Sequence, residues 1–328
     1  MKVLVTGAAG FIGSHTCERL IARGHAVLGV DSFDDYLYPA GPKRRNAEDL
    51  ADRLDGNAFS LVEADICDFD AISGAMGDAL SDCDLLCHLA ALAGVRPSLA
   101  DPVRYVNTNL SGTVQLLEAC RTAGVDRVVF ASSSSVYGKR ADDGGFREDD
   151  PCLTPASPYG ATKRAGELLC STYRDLYGLG ISALRYFTVY GPRQRPDMAI
   201  HKFVRAAATG DTVPLYGDGS SSRDYTYIDD IVAGTVAACE RVAPGAFEIY
   251  NLGGTEVTSL AELVAIVEDV TGRSLDVDRQ PDQPGDVPTT HANIDRARAD
   301  LDYAPATDVR TGVARFWEWF KADQSRST

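Results

Sequence analysis

A chain of 328 residues accommodates one large α/β domain with a smaller one appended. Hydrophobic residues make up 45% and charged residues 24%, an ordinary globular mix without the ~18 unbroken apolar residues of a membrane span. The net charge of −15 argues against nucleic acid or an anionic membrane as partner, and it demands local cations wherever an anionic substrate binds. The eight cysteines show no CxxC and no His-paired spacing, so they read as reduced thiols of a cytoplasmic protein rather than as a disulfide or metal framework. Cys83 and Cys87 bracket an apolar strand and are expected to be buried. Met1-Lys2 leads straight into an apolar run and a glycine turn, so no signal peptide is expected.

In chain order, Val3-Leu4-Val5 reads as a strand, followed by glycines and a helical stretch to about Arg23, and Ala26 to Asp31 reads as a second strand. Lys43-Arg44-Arg45 follows Pro39, Gly41 and Pro42 and reads as a solvated loop. Leu85 to Leu89, Val128 to Ser132 and Ile181 to Tyr186 are further short apolar runs. Val103, Val106, Leu110, Val114 and Leu117 recur every three or four residues, which predicts one face of a long helix. The stretches 139–150 and Gly285 to Thr290 read as exposed loops. Strands alternating with helices predict an α/β fold, a Rossmann-type doubly wound parallel sheet with a smaller C-terminal α/β unit.

Thr6-Gly7-Ala8-Ala9-Gly10-Phe11-Ile12-Gly13 joins the first strand to the first helix with the spacing GxxGxxG. Glycines there permit a tight turn and close backbone approach, and the helix N-terminus then faces a pyrophosphate. Asp31 ends the second strand, placed to accept hydrogen bonds from the ribose hydroxyls of adenosine beside Ser32. A carboxylate repels a 2′-phosphate, and Ser32-Phe33-Asp34-Asp35 offers no arginine to hold one, so NAD is favoured over NADP.

Tyr159 and Lys163 follow Pro158 at i and i+4, on one helical face. A lysine and a positive nicotinamide ring beside a phenol near pKa ~10 would lower it by about three units, roughly 4 kcal/mol, and make it a usable base. Ser132-Ser133-Ser134-Ser135 ends an apolar strand, a polar run natural for a pocket at the carboxyl edge of a sheet.

The glycine turn, Asp31, Asp65-Ile66, His88-Leu89-Ala90-Ala91, the serine run, YxxxK and Arg223-Asp224-Tyr225 occur in order along nearly the whole chain. This resembles the extended short-chain dehydrogenase/reductase family of nucleotide-sugar epimerases and dehydratases. The resemblance implies that Ser133, Tyr159 and Lys163 are catalytic. It also implies that Asp65 and Ile66 contact adenine, Leu89, Ala90 and Ala91 the inner flank of NAD, and Thr108 and Phe187 its nicotinamide side. Residues 1–180, with segments from about 225–255 returning, would bind NAD, and 181–328 would mainly bind the UDP-sugar.

A 4,6-dehydratase of the family carries an Asp-Glu pair after the catalytic hydroxyl, and a UDP-glucuronate decarboxylase usually has Glu at the position of Ser135. Ser134-Ser135 supplies neither, which leaves C4 epimerisation. The run from Arg185 to Ala199, TVYGP…RPDMA within it, and Gln283 to Pro288 look like those of UDP-glucuronate 4-epimerases, whereas UDP-galactose epimerases typically have Asn in place of Thr188. The resemblance then makes Ser134, Ser135 and Thr188 hydroxyl donors to the C6 carboxylate. Arg195, Lys202 and Arg223 become diphosphate cations, Tyr216 a platform for uracil, and Asp286 a further substrate contact; a homodimer is implied as well. Two other readings stand beside this one: a UDP-glucose or UDP-N-acetylhexosamine 4-epimerase, and a non-catalytic NAD-binding module.

Overall fold

The apolar runs line up side by side in a computed structural model that describes residues 1–54, 56, 58–68, 74, 78–139, 145–254, 256–281 and 287–327. Six strands, β1 (Lys2–Thr6), β2 (Ala26–Asp31), β3 (Phe59–Glu63), β4 (Leu85–His88), β5 (Arg127–Ser133) and β6 (Gly180–Tyr186), come before residue 187. Seven shorter or later ones follow: β7 (Thr188–Tyr190), β8 (Val213–Tyr216), β9 (Ser222–Arg223), β10 (Tyr225–Tyr227), β11 (Phe247–Leu252), β12 (Thr258–Ser259) and β13 (Val277–Gln280). The main sheet runs β11-β6-β5-β4-β1-β2-β3 and every pairing in it is parallel. Its central strands are buried on both faces, as β4 and β6 are throughout, so they read as continuous apolar runs instead of alternating ones.

Parallel pairing brings the carboxyl ends of the strands to one edge. Thr6 stands level with His88, Asp31 with Glu63, and Ser133 with Tyr186. Strand β11 and the helix Ile228–Arg241, which packs on the first helix Phe11–Ala22, return from beyond residue 225 to this layer. The smaller sheets β10-β7, β12-β9 and β13-β8 carry the later cleft residues Thr188, Arg223 and Tyr216.

Two local expectations are corrected. Lys43-Arg44-Arg45 lies in the helix Gly41–Arg53 with Pro42 at its start, where a missing N–H costs nothing. Arg44 pairs with Glu63 at 2.9 Å and Arg45 with Asp323 at 3.8 Å. The periodic stretch 103–117 is not one regular helix: Pro102–Val106 leads into a π turn, Asn107–Ser111, and then Gly112–Ala123. The extra residue in that turn rotates the apolar face, so Leu117 is buried while Val103 and Val106 stay 67% and 42% exposed. Of the two stretches read as loops, 139–150 and Gly285 to Thr290, residues 140–144 and 285–286 lie outside the described residues, Asp286 among them. The described remainder makes isolated bridges, Phe146 with Ala292 and Thr289 with Ser222. All eight cysteines are free, and all but Cys67 are buried. Among the described residues no helix is long and apolar enough to cross a membrane.

His88 closes β4 inside the core. Its Nδ1 lies 2.8 Å from the Thr6 hydroxyl and its Nε2 3.0 Å from that of Thr113. The Thr113 hydroxyl already donates to the Asn109 carbonyl at 2.6 Å, so His88 donates from Nε2 and accepts at Nδ1, the neutral tautomer. Burial, then the charge of Lys163, pushes its pKa down to about 3. A histidine depressed in the folded state favours folding above its ordinary value of 6.5, and this contribution is lost as pH falls toward 3. Stability therefore declines by up to ~1.4 kcal/mol per pH unit on this account between about pH 6 and 4. His88→Gln, which keeps a donor and an acceptor, should flatten the stability–pH slope by that amount in urea unfolding. Equal slopes would show that His88 titrates normally.

Candidate active site

A single cleft of about 1430 Å³ runs along the carboxyl edge of the sheet. Pockets for one small ligand rarely exceed ~1000 Å³, so this one has room for two laid end to end. All the described residues predicted for the site line it, from Gly7 at one end to Arg223 at the other.

The glycine turn forms the floor at the NAD end. Gly7 has φ +71, and a Cβ on it would come within 2.9 Å of the Ala90 nitrogen. A Cβ on Gly13 would lie 1.9 Å from the Gly7 carbonyl oxygen. The helix Phe11–Ala22 thus starts directly against the end of β1, and no side chain caps it at Gly10. Its first N–H groups and positive dipole end are left for an anion, the arrangement a pyrophosphate needs. Phe11 and Ile12 border this floor, with Leu89, Ala90 and Ala91 on the far side of Gly7.

Asp31 is buried at the end of β2, where its carboxylate accepts from the backbone of Ala9 at 3.0 Å and Phe33 at 2.9 Å. Burial raises its pKa, with the Phe33 and Ala9 bonds and the charge of Lys43 opposing. These bonds fix the carboxyl plane and leave lone pairs for ribose hydroxyls, beside Ser32. Lys43, half-buried, donates to the Asp34 carbonyl and lines the same end, a cation that the loop reading of 43–45 had sent to solvent. Asp65, whose carboxylate accepts from Cys67 N at 2.8 Å, and buried Ile66 line the cleft beside them, where the resemblance would put adenine. Thr108 enters from the π turn, and Phe187 follows β6.

The helix Pro158–Tyr177 delivers Tyr159 and Lys163; Ser157 caps it by accepting from Gly160 N at 3.1 Å. The Tyr159 phenol lies beside the Ser133 hydroxyl at the end of β5. Burial raises its pKa, and the Ser133 hydroxyl and then the charge of Arg195 pull it back. Lys163 is buried as well and turns toward β5. Its Nζ donates to the Ala131 carbonyl at 2.7 Å, and burial pushes its own pKa down to about 8. A phenol shut away from water is a poor base by itself, so positive charge brought by a cofactor would have to help it.

At the substrate end, Ser134 and Ser135 form a tight turn, the Ser135 N–H donating to the Ser133 hydroxyl at 3.2 Å. Thr188 opens β7, its N–H held by the Asp224 carbonyl at 3.0 Å. Arg195 is closely paired, Nη2 and Nε lying 2.7 and 3.0 Å from the Asp197 carboxylate, so it brings less free charge to a diphosphate than predicted. Lys202 sits on the helix Ala199–Thr209, its pKa lowered chiefly by burial and then by the nearby Arg96 and Arg205 against the opposing charge of Asp197. Arg223 donates to the Ser222 carbonyl at 2.8 Å. Tyr216 ends β8 with Arg96 over its ring, 4.1 Å from the centroid.

Three groups escaped the sequence reading. Arg96 lies in the AGVRPS stretch, where nothing but its charge marked it. Asn109, inside the π turn, bonds Leu92 N at 2.8 Å and Leu92 O at 2.9 Å and donates to Thr162 at 3.1 Å, tying the cleft wall to the YxxxK helix. Glu167 was readable as one further step of four beyond Lys163, but no partner for it was visible until Arg185 was placed.

Residues 3–253 match the model of the NAD dependent epimerase/dehydratase family. The chain is 40% identical to the UDP-glucuronate 4-epimerase of Thermodesulfobacterium geofontis, over 97% of this chain and 95% of that one. It is 39% identical to the UDP-glucuronic acid 4-epimerase of Bacillus cereus solved with UDP-glucuronic acid and NAD. There the TM-score is 0.89, covering 98% of this chain and 99% of the other. The UDP-glucose 4-epimerase of Thermotoga maritima with UDP-glucose is 31% identical at TM-score 0.87, covering 99% and 100%.

Gly13→Ala should abolish retention of NAD, because the new methyl forces the helix start off the Gly7 carbonyl. NAD content of the purified variant, read after acid release, checks this, and wild-type content would mean the helix start is not what holds the pyrophosphate.

Proposed function

We infer the activity from one premise: the chain belongs to the NAD dependent epimerase/dehydratase family. It is an isomerase that inverts C4 of UDP-glucuronate to give UDP-galacturonate through a 4-keto sugar. The observation that carries this reading is one cleft holding Ser133, Tyr159 and Lys163 together with Thr188 and the hydroxyls of Ser134 and Ser135, the two positions where a dehydratase or decarboxylase would place carboxylates. NAD supplies the acceptor of the C4 hydride and, once the ketone has turned over, its donor.

Within that cycle Tyr159 takes the proton of the 4-hydroxyl and later returns it, while Ser133 aligns the same hydroxyl. Lys163 keeps its charge beside both and holds the nicotinamide ribose. Ser134, Ser135 and Thr188 bind the C6 carboxylate through neutral donors and hold it away from the alignment in which a β-keto acid loses CO2. Lys202, Arg223 and Arg96 balance the diphosphate, and Tyr216 stacks on uracil once Arg96 has swung toward that charge. Residues 1–180 with the return near 225–255 serve the cofactor, 181–328 mainly serve the sugar nucleotide, and the protein works in the cytoplasm.

The oligomer we propose is a homodimer. Leu99, Val103, Val106, Leu168, Leu176 and Tyr177 are exposed, and all lie on the helices Val95–Ala100, Pro102–Val106 and Pro158–Tyr177. One apolar face shared by adjacent helices suits a bundle with the same face of a second copy. Light scattering at micromolar concentration should give twice the chain mass for the wild type and a smaller species for Val103→Asp/Leu168→Asp. A monomeric wild type would refute the dimer.

The activity is tested by incubation with UDP-glucuronate, UDP-glucose and UDP-N-acetylglucosamine without added NAD. UDP-galacturonate should dominate; preferential turnover of either neutral sugar would favour the alternative 4-epimerases, and no turnover a binding module. Tyr159→Phe should lose activity while retaining NAD, and Lys163→Met should lose both. Thr188→Val should divert part of the flux to a product lacking CO2, by about tenfold in partitioning for each ~1.4 kcal/mol lost with its hydrogen bond.

A further inference from the structure

Beneath the catalytic groups lies a buried ion pair that the cycle above does not use. Tyr159, Lys163 and Glu167 are spaced by four and share one helical face. Strand β5 meets them residue by residue. The Ser133 hydroxyl lies beside Tyr159, the Ala131 carbonyl accepts from Lys163 at 2.7 Å, and the Ser132 hydroxyl donates to Glu167 Oε1 at 2.6 Å. Arg185, level with Ser132 on β6, donates from Nε to Glu167 Oε1 at 2.8 Å and from Nη2 to Oε2 at 2.9 Å. Its remaining nitrogen, Nη1, reaches the Tyr137 hydroxyl at 2.9 Å and the Glu148 carbonyl at 3.2 Å. Arg164 adds a bond to Glu167 Oε2 at 2.8 Å.

Glu167 and Arg185 are at most 1% exposed. A pair so buried seldom stabilises a fold more than two apolar side chains of the same volume, because both charges lose their hydration. Stability alone therefore gives little reason for it. Its contacts do: Ser132 and Tyr137 flank the run Ser133–Val136, so one bidentate pair grips both ends of the turn that carries the catalytic hydroxyl. We propose that Glu167 and Arg185 are positioning residues that set Ser133 against Tyr159 and hold a negative charge beneath Lys163. This rests on the catalytic roles given above to Ser133, Tyr159 and Lys163.

The electrostatics give the pair a distinctive signature. Lys163 is bordered by Tyr159, Glu167 and Cys170 on its own helix, by neutral His88 from β4, and by Arg185 from β6 behind Glu167. Burial lowers its pKa, while Cys170 and Glu167 oppose the fall. Glu167→Gln keeps the shape, removes the anion and leaves Arg185 unmatched. The ammonium then loses its proton at lower pH, and the basic limb of the kcat–pH profile moves down by about one unit.

The test uses the NAD-bearing enzyme and UDP-glucuronate. Glu167→Gln should show the displaced basic limb. Ser132→Ala, which removes a single hydroxyl and spares the fold, should lower kcat about tenfold with KM and NAD content unchanged. Should Glu167→Gln fail to fold, Glu167→Met/Arg185→Met carries the question, since it buries no lone charge; kcat should fall at least tenfold in soluble, NAD-bearing protein. A wild-type kcat–pH profile in Glu167→Gln, or wild-type kcat in Ser132→Ala or in the double variant, would overturn the proposal and leave the pair a structural strut. Tyr159→Phe runs alongside: if it is active, the catalytic reading itself has failed, independently of the pair.

Discussion

The Gly7 carbonyl occupies the place where any side chain at residue 13 would begin. That contact presses the first helix onto the end of the first strand, and the remaining geometry follows from it. The helix N-terminus then points along the carboxyl edge of the sheet, where parallel pairing has already gathered Asp31, His88 and Ser133. A sheet of mixed direction would scatter those residues between two edges. Here one edge receives them all, and the cleft is the space above it.

Charge is distributed on two scales. Over the whole surface the excess is strongly acidic, yet the cleft is lined by Lys43, Arg96, Lys163, Arg195, Lys202 and Arg223. These cations differ in how far the protein has already matched them. Arg195 is clasped by Asp197, Lys43 rests near Asp31 and Asp34, and Lys163 leans on a carbonyl. Arg96 and Lys202 lie close enough to oppose one another, which favours an anionic ligand between them. Long-range repulsion and local attraction together make the cleft selective for anions that fit it.

Sequence periodicity conveyed the fold well wherever local and tertiary demands agreed. The first two strands, the glycine turn and the parallel order were legible because burial on both faces writes itself as unbroken apolar runs. It failed at Lys43-Arg44-Arg45, where helix formation depends on Pro42 starting a turn and on carboxylates elsewhere in the chain. It also failed at residues 107–111, because a π turn leaves no mark on apolar spacing. Motif positions gave residues that gather along one cleft, but pairing could not be read from them. Nothing along the chain said that Arg195 would be claimed by Asp197, or that Lys163 would turn to Ala131.

The position of β11 bears on how the protein is made. By residue 190 the synthesised chain contains the glycine turn, the serine run and the YxxxK helix, yet β6 still has one open edge, and its partner is residues 247–252. An uncovered strand that the finished fold buries throughout is a ready template for pairing with another chain. The nascent protein must therefore carry an unfinished sheet through some sixty more residues of translation, several seconds at ordinary rates. The helix Ile228–Arg241, emerging just before β11, packs on the first helix and brings the closing strand to the edge it covers. Truncation anywhere between residues 190 and 247 would leave every catalytic side chain present on a sheet whose edge remains adhesive.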